Sequence, residues 1–209
     1  MIERGESLPK LVAASVAGIA RAPDVVCISE TAVAIAQGRT IVAETIRPGR
    51  LAYFMSRHAG ALATVSQPES LQLVIDQAGA PKVVLAALAH VAGRAVGQRG
   101  VFYRILGGAI STIDGYTGTM PPFERTIVLG PADPDGVAAE IAAATGTHAA
   151  IVDVNDLGTA KVLGASAGVE RAPIEAALRA NPHGNADEQT PIVVLRWRGT
   201  GATPFAEAA

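Results

Sequence analysis

The chain has 209 residues, 49% of them hydrophobic and 17% charged, which supplies a real core and excludes an intrinsically disordered chain. Lys and Arg total 17 against 19 Asp and Glu, a net charge of −2. The arginines are scattered singly, so no basic patch speaks for a nucleic-acid partner.

The opening "MIERGESLPK" lacks the basic and apolar regions of a signal peptide, so a cytoplasmic location is expected. Ser7 stands as an N-cap before "LPKLVAASVAGIA", whose apolar spacing predicts a helix from Leu8 to Ile19. "DVVCIS", Asp24 to Ser29, reads as a buried strand, and its Cys27, the chain's single cysteine, as a small buried hydrophobe. "TAVAIAQG" is short and apolar and ends at Gly38, and "RTIVAETI" has the β-branched residues of a strand. Two helices follow, over Gly49–Ala63 and Pro68–Gly79. In the second, Leu71, Val74, Ile75 and Ala78 share one face.

From Lys82 the pattern predicts three strands joined at glycines: "KVVLAALAHVAG", "RAVGQRGVFYRI" and "GGAISTIDG". The longest apolar run, "VVLAALAHVAG", falls short of the roughly 20 residues a bilayer span needs, so no membrane partner is expected. "TGTMPPFE" reads as a loop and "RTIVLG" as a strand. "PDGVAAEIAAATG" predicts a helix closed by Gly146, and "HAAIVDV" and "AKVLGASAGV" predict strands. Pro173–Ala180 forms a short helix and "PIVVLRWRG" the last strand. No repeat or composition shift marks a boundary, so residues 1–200 read as one domain with a tail at 201–209. Mixed helices and sequence-adjacent strands predict an α+β fold: a mixed, largely antiparallel sheet with flanking helices.

The four histidines lie far apart, and neither a P-loop nor a nucleophile elbow occurs. The candidates for chemistry are acidic and sit at the ends of apolar runs. Asp114 lies in "STIDGYTG", where Gly115 would admit a close ligand. Asp153 and Asp156 flank Asn155 in "AIVDVNDLG", after a β-branched strand, a place suited to oxygen ligands of Mg²⁺. Asp and Asn are also ordinary turn formers, so a structural role stands beside the functional one. In "LGPADPDGVAAEI", Asp133 and Asp135 flank a proline at a helix start, where a carboxylate caps the helix and meets its dipole.

The order of these pieces resembles the coenzyme F420-0:L-glutamate ligase (γ-glutamyl ligase) family. The resemblance runs through "DVVCISETAVAIAQGRTI", "ESLQLVIDQAGAPKVVL", "STIDGYTG", "VLGPADPDGVAAEI", "AIVDVNDLG" and "GNADEQTPIVVLRWRG" over about residues 5–199. It implies a GTP- and metal-dependent ligase of a small-molecule substrate. A carboxylate of F420-0 or a related metabolite would be activated as an acyl phosphate and attacked by the amine of L-glutamate. By the same resemblance Asp114 and Asp153 would hold Mg²⁺ or Mn²⁺. Asn155, Asp156 and Gly115 would lie against the bound nucleotide, and the chain would form a homodimer.

This sequence departs from the family pattern at several positions. The family's Ser-Lys-x-Glu-Gly reads "AIAQG", placing Ala34, Ile35 and Gln37 where a hydroxyl, an ammonium and a carboxylate belong. "IST" (Ile110–Thr112) and Gly115–Thr117 replace further polar residues. Only Lys161 stands in the shortened basic stretch after Asp153. The alternative expectation is therefore a non-catalytic relative that binds a ligand or partner.

Overall fold

The computed structural model describes residues 2–59, 66–98, 100–107, 113, 123, 125–155, 158–184 and 190–197. The chain divides into two compact units, one made of Met1–Arg39 with Pro131–Ala209 and the other of Thr40–Gly130.

The first unit is built on a four-stranded sheet. Its strands are β1 (Val25–Ser29), β4 (His148–Asn155), β5 (Thr159–Ala165) and β6 (Ile192–Leu195), in the order β5-β4-β1-β6. β1 runs parallel to β4, while β1–β6 and β4–β5 are antiparallel. Pleat alternation makes this sheet the middle of three layers. Val26, Ile28, Ala149 and Ile151 face α1 (Leu8–Val16), α2 (Glu30–Ala36) and α7 (Pro134–Thr145). Val25, Cys27, Ala150 and Val152 face α8 (Arg171–Leu178), meeting Ile174 and Leu178. Continuous apolar runs such as "VVCI" and "AAIV" are what a strand covered on both faces requires. Burial pushes the Cys27 thiol up to about 12, so it is an inert packing group.

A partly buried ion pair closes this unit. Asp24 is 2% exposed at its side chain and takes the Arg196 guanidinium in a fork, Nε at 2.9 Å and Nη2 at 2.7 Å. Arg196 also donates to the Ile19 carbonyl, and the Arg21 amide donates to Asp24. The guanidinium holds the Asp24 carboxyl below the usual carboxylate range. One side chain thus ties the end of β6 to the turn before β1.

The second unit pairs β2 (Thr40–Val42) antiparallel with β3 (Thr126–Val128). Around them pack α3 (Arg50–Ser56), α4 (Pro68–Ala78), α5 (Ala80–Ala95) and α6 (Val101–Leu106). Its core comprises Ala43, Ala52, Leu71, Val74, Val83, Ala86, Phe102 and Ile127. α4 breaks at Gly79, whose φ of 83° ends one helix and opens the next at a bend of 115°.

The fold is the α+β arrangement expected, with a largely antiparallel mixed sheet. One stretch changes type: the strands predicted from Lys82 through "VFYRI" are helices α5 and α6, while the helix expected over Gly49–Ala63 ends at Ser56. Most of the third predicted strand, "GGAISTIDG", lies outside the described residues, as does most of the "TGTMPPFE" loop. The first helix ends at Val16 rather than Ile19. Ser7 occupies its cap position without a side-chain bond to the helix. Among the described residues no single helix is long and apolar enough to cross a membrane.

Candidate functional site

The Asp-Pro-Asp segment is resolved into two jobs. Asp133 adopts a left-handed backbone (φ 43°) and its carboxylate accepts the Gly136 amide at 3.1 Å, capping α7. A Cβ at Gly136 would overlap that carboxylate and push it out of its capping position. Asp135 reaches outward instead, accepting the Ala165 amide of β5 at 2.8 Å and Arg171 Nη2 at 3.0 Å. β5 is the edge of the sheet. Glu175 accepts its Val162 amide, and Arg171 donates to the Val162 carbonyl. Side chains of α7 and α8 therefore satisfy an edge that would otherwise invite another strand. Gly164 completes the contact, because a Cβ there would overlap the Pro134 carbonyl group.

The "AIAQG" segment forms the end of α2. Gln37 donates through Nε2 to the Ala132 carbonyl at 2.8 Å and accepts the Ala132 amide at 2.8 Å. Only an amide side chain both donates and accepts in this way; a carboxylate would face the carbonyl with no proton to give. Gln37 thereby holds the loop that leads into Asp133. Beside it lies a pocket of about 430 Å³ whose lining includes Glu6, Ser7, Gln37, Asp133, Gly136 and Glu140. Its charged lining residues, Glu6, Asp133 and Glu140, are all acidic, which disfavours a phosphate in this cavity.

Asp153 stands near the carboxyl end of β4. Ser29 of β1 pairs with Val152, so Asp153 lies one step beyond, where β1 gives way to α2. Alternation turns it to the sheet face of Ile151, and its cross-strand partner is Lys161. Burial raises the Asp153 carboxyl above its ordinary value, and the Lys161 ammonium partly offsets this. A half-buried carboxylate at the carboxyl end of a parallel pair is placed as ligand-binding groups commonly are in α/β sheets. Asn155 accepts the Thr159 amide at 3.2 Å through its side-chain oxygen and so closes the β4–β5 turn.

Asp114, Gly115 and Asp156 lie outside the described residues. Among the described residues no group of three or more His, Cys, Asp or Glu side chains could hold a metal ion. Sequence reasoning missed the bridging roles of Gln37, Asp135 and Arg171, because each partner is remote in sequence. It also missed His183, which is buried and donates through Nδ1 to the Thr190 carbonyl at 2.9 Å. Burial holds that imidazole below its ordinary pKa.

A family model described as F420-0:Gamma-glutamyl ligase matches residues 1–156. No curated protein matches the chain.

Proposed function

The chain belongs to the F420-0:gamma-glutamyl ligase family, and from that premise we propose that it is a GTP- and metal-dependent ligase. It would join L-glutamate through an amide bond to coenzyme F420-0 or a related carboxylate metabolite. The observation that carries this reading, beside the family match, is Asp153: a half-buried carboxylate at the carboxyl end of β4 with its charged form disfavoured by burial. A cation near such a group relieves its desolvation, and Asp153 is the proposed ligand of Mg²⁺ or Mn²⁺. The metal's chemistry is charge neutralisation on the nucleotide phosphates.

The reaction itself is balanced by the substrates. The γ-phosphoryl group passes to a carboxylate oxygen and GDP departs; the glutamate nitrogen then attacks the acyl carbon, an amide forms and phosphate leaves. The protein's part is to bind and orient. Asn155 and Asp156 are assigned to the nucleotide side of this site. A cytoplasmic homodimer completes the proposal, and light scattering at micromolar concentration should give a dimer mass. A monomer mass would remove that element.

A second reading has its own support. Gln37 is committed to Ala132, and Ala34 and Ile35 carry no charge or hydroxyl for phosphate. A non-catalytic relative that keeps the scaffold would look like this. The two readings separate by thermal unfolding. The ligase should melt higher with millimolar GTP and Mg²⁺ or Mn²⁺, because a ligand bound only to the native state stabilises it. Asp153→Asn should abolish that shift while the unliganded melting temperature stays folded-like. No shift in the wild type favours the non-catalytic reading, and an unchanged shift in the variant removes Asp153 from the site.

A further inference from the structure

The two edges of the four-stranded sheet are treated differently. Along β5, Asp135 accepts the Ala165 amide, Glu175 accepts the Val162 amide, and Arg171 donates to the Val162 carbonyl. β6 is the opposite edge. The Ser29 amide donates to the Pro191 carbonyl at 3.0 Å, which fixes the alternation of this antiparallel pair. Val193 and Leu195 therefore turn their N–H and C=O groups toward β1, and Ile192 and Val194 turn theirs outward. Among the described residues no hydrogen bond engages those outward groups. Pro191 does not blunt the edge, because its ring nitrogen lies on the β1 side, where it removes no outward donor.

An unpaired row of donors and acceptors on an apolar strand is a template for another strand. Ile192 and Val194 pack partly against the cluster on the side of α1, α2 and α7, and Val193 and Leu195 against the one on the side of α8. β6 is thus apolar on both faces, and so must be any strand that continues the sheet beyond it. β6 itself meets that requirement. The charges at its two ends are opposite: Asp187 and Glu188 precede it in sequence, and Arg196 and Arg198 follow it. A copy laid antiparallel brings the acidic end of one strand to the basic end of the other. A parallel copy sets like charge against like.

We propose that β6 pairs with β6 of a second copy of this chain, antiparallel about a two-fold axis at Val193, joining two four-stranded sheets into one. In that register Ile192 of each copy exchanges both N–H···O bonds with Val194 of the other, and every outward group of the edge is satisfied. Val193 stands opposite itself on the α8 side, where the pair is apolar. The two-fold axis is perpendicular to the sheet, so each helical layer continues on its own face. This pairing supplies an interface for the homodimer proposed above and rests on that element of the reading.

Two measurements on the full chain test it together. Light scattering at micromolar concentration is expected to give a dimer mass. Amide hydrogen exchange, resolved by residue with NMR, then locates the contact. The Ile192 and Val194 amides should exchange at least about tenfold more slowly than in an unstructured peptide of the same sequence, which an open edge would not allow. A dimer mass with both amides unprotected would overturn this pairing and leave the homodimer standing on another surface. A monomer mass would overturn both. Ile192→Pro removes an outward donor and no bond to β1, so it should give a monomer mass with unchanged circular dichroism. A dimer mass from that variant, still folded, would also overturn the pairing. Exchange in the wild type decides the matter if the proline unfolds the chain.

Discussion

Gly164 fixes how closely α7 can approach the edge of the sheet. The Pro134 carbonyl lies where its Cβ would be, and next to it Asp135 accepts the Ala165 amide and Arg171. The obstacle is backbone at the first turn of a capped helix, which cannot swing away as a side-chain tip can. Gly164→Ala must therefore push α7 off β5 and stretch the Asp135 bonds. We expect a loss of about 1–3 kcal/mol, the usual range for forced overpacking. Denaturant unfolding measures it, and a variant within about 0.5 kcal/mol of wild type would show that α7 is not seated on β5 as described. Asp133 was legible from sequence as a cap, since a helix start is a local pattern. The second aspartate's role was not, because Ala165 and Arg171 stand 30 and 36 residues away.

At the scale of elements, the legible parts are those whose burial is one- or two-sided in a regular way. β1 and β4 are apolar on both faces and were read as strands, β1 as a buried one, which the structure bears out. α4 was legible because Leu71 and Val74 are buried while Glu69 and Asp76 bracket them with charge. α5 was not. Its buried residues Val83, Ala86 and Gly93 follow helical spacing, but Leu85, Leu88 and Val91 are apolar too and are exposed. Apolar residues on every side erase the 3.6-residue period, and the β-branched Val83, Val84 and Val91 then tip a local reading toward strand. The signals that could have corrected it were Pro81 in the first turn after Gly79 and the unbroken alanine content. Of the candidate site, Asp153 was legible as a carboxylate at a strand's end. Gln37 was not, because a residue that departs from a family pattern reads as a loss until its partner is seen.

For the whole molecule, the separation of cores is the informative feature. Among the described residues, both clusters around the four-stranded sheet are built from residues 1–39 and 131–209, and the third from residues 40–130. Within the first unit, Gln37 grips Ala132 with two bonds, so the chain leaves and re-enters at neighbouring points. Segments inserted at such closely spaced ends can be removed without stretching the host. A chain in which Arg39 is joined to Pro131 by a short Gly/Ser linker is therefore expected to fold. It keeps all three layers, the Asp24–Arg196 pair and the protected β5 edge. Circular dichroism should show mixed helix and strand, and heating should give one cooperative transition. Adding Gln37→Ala to that shortened chain should lower its midpoint, because the closure would then rest on the linker alone. A disordered spectrum or a melt without cooperativity would mean that the first unit draws its stability from residues 40–130, and the separate cores would not be independent folding units.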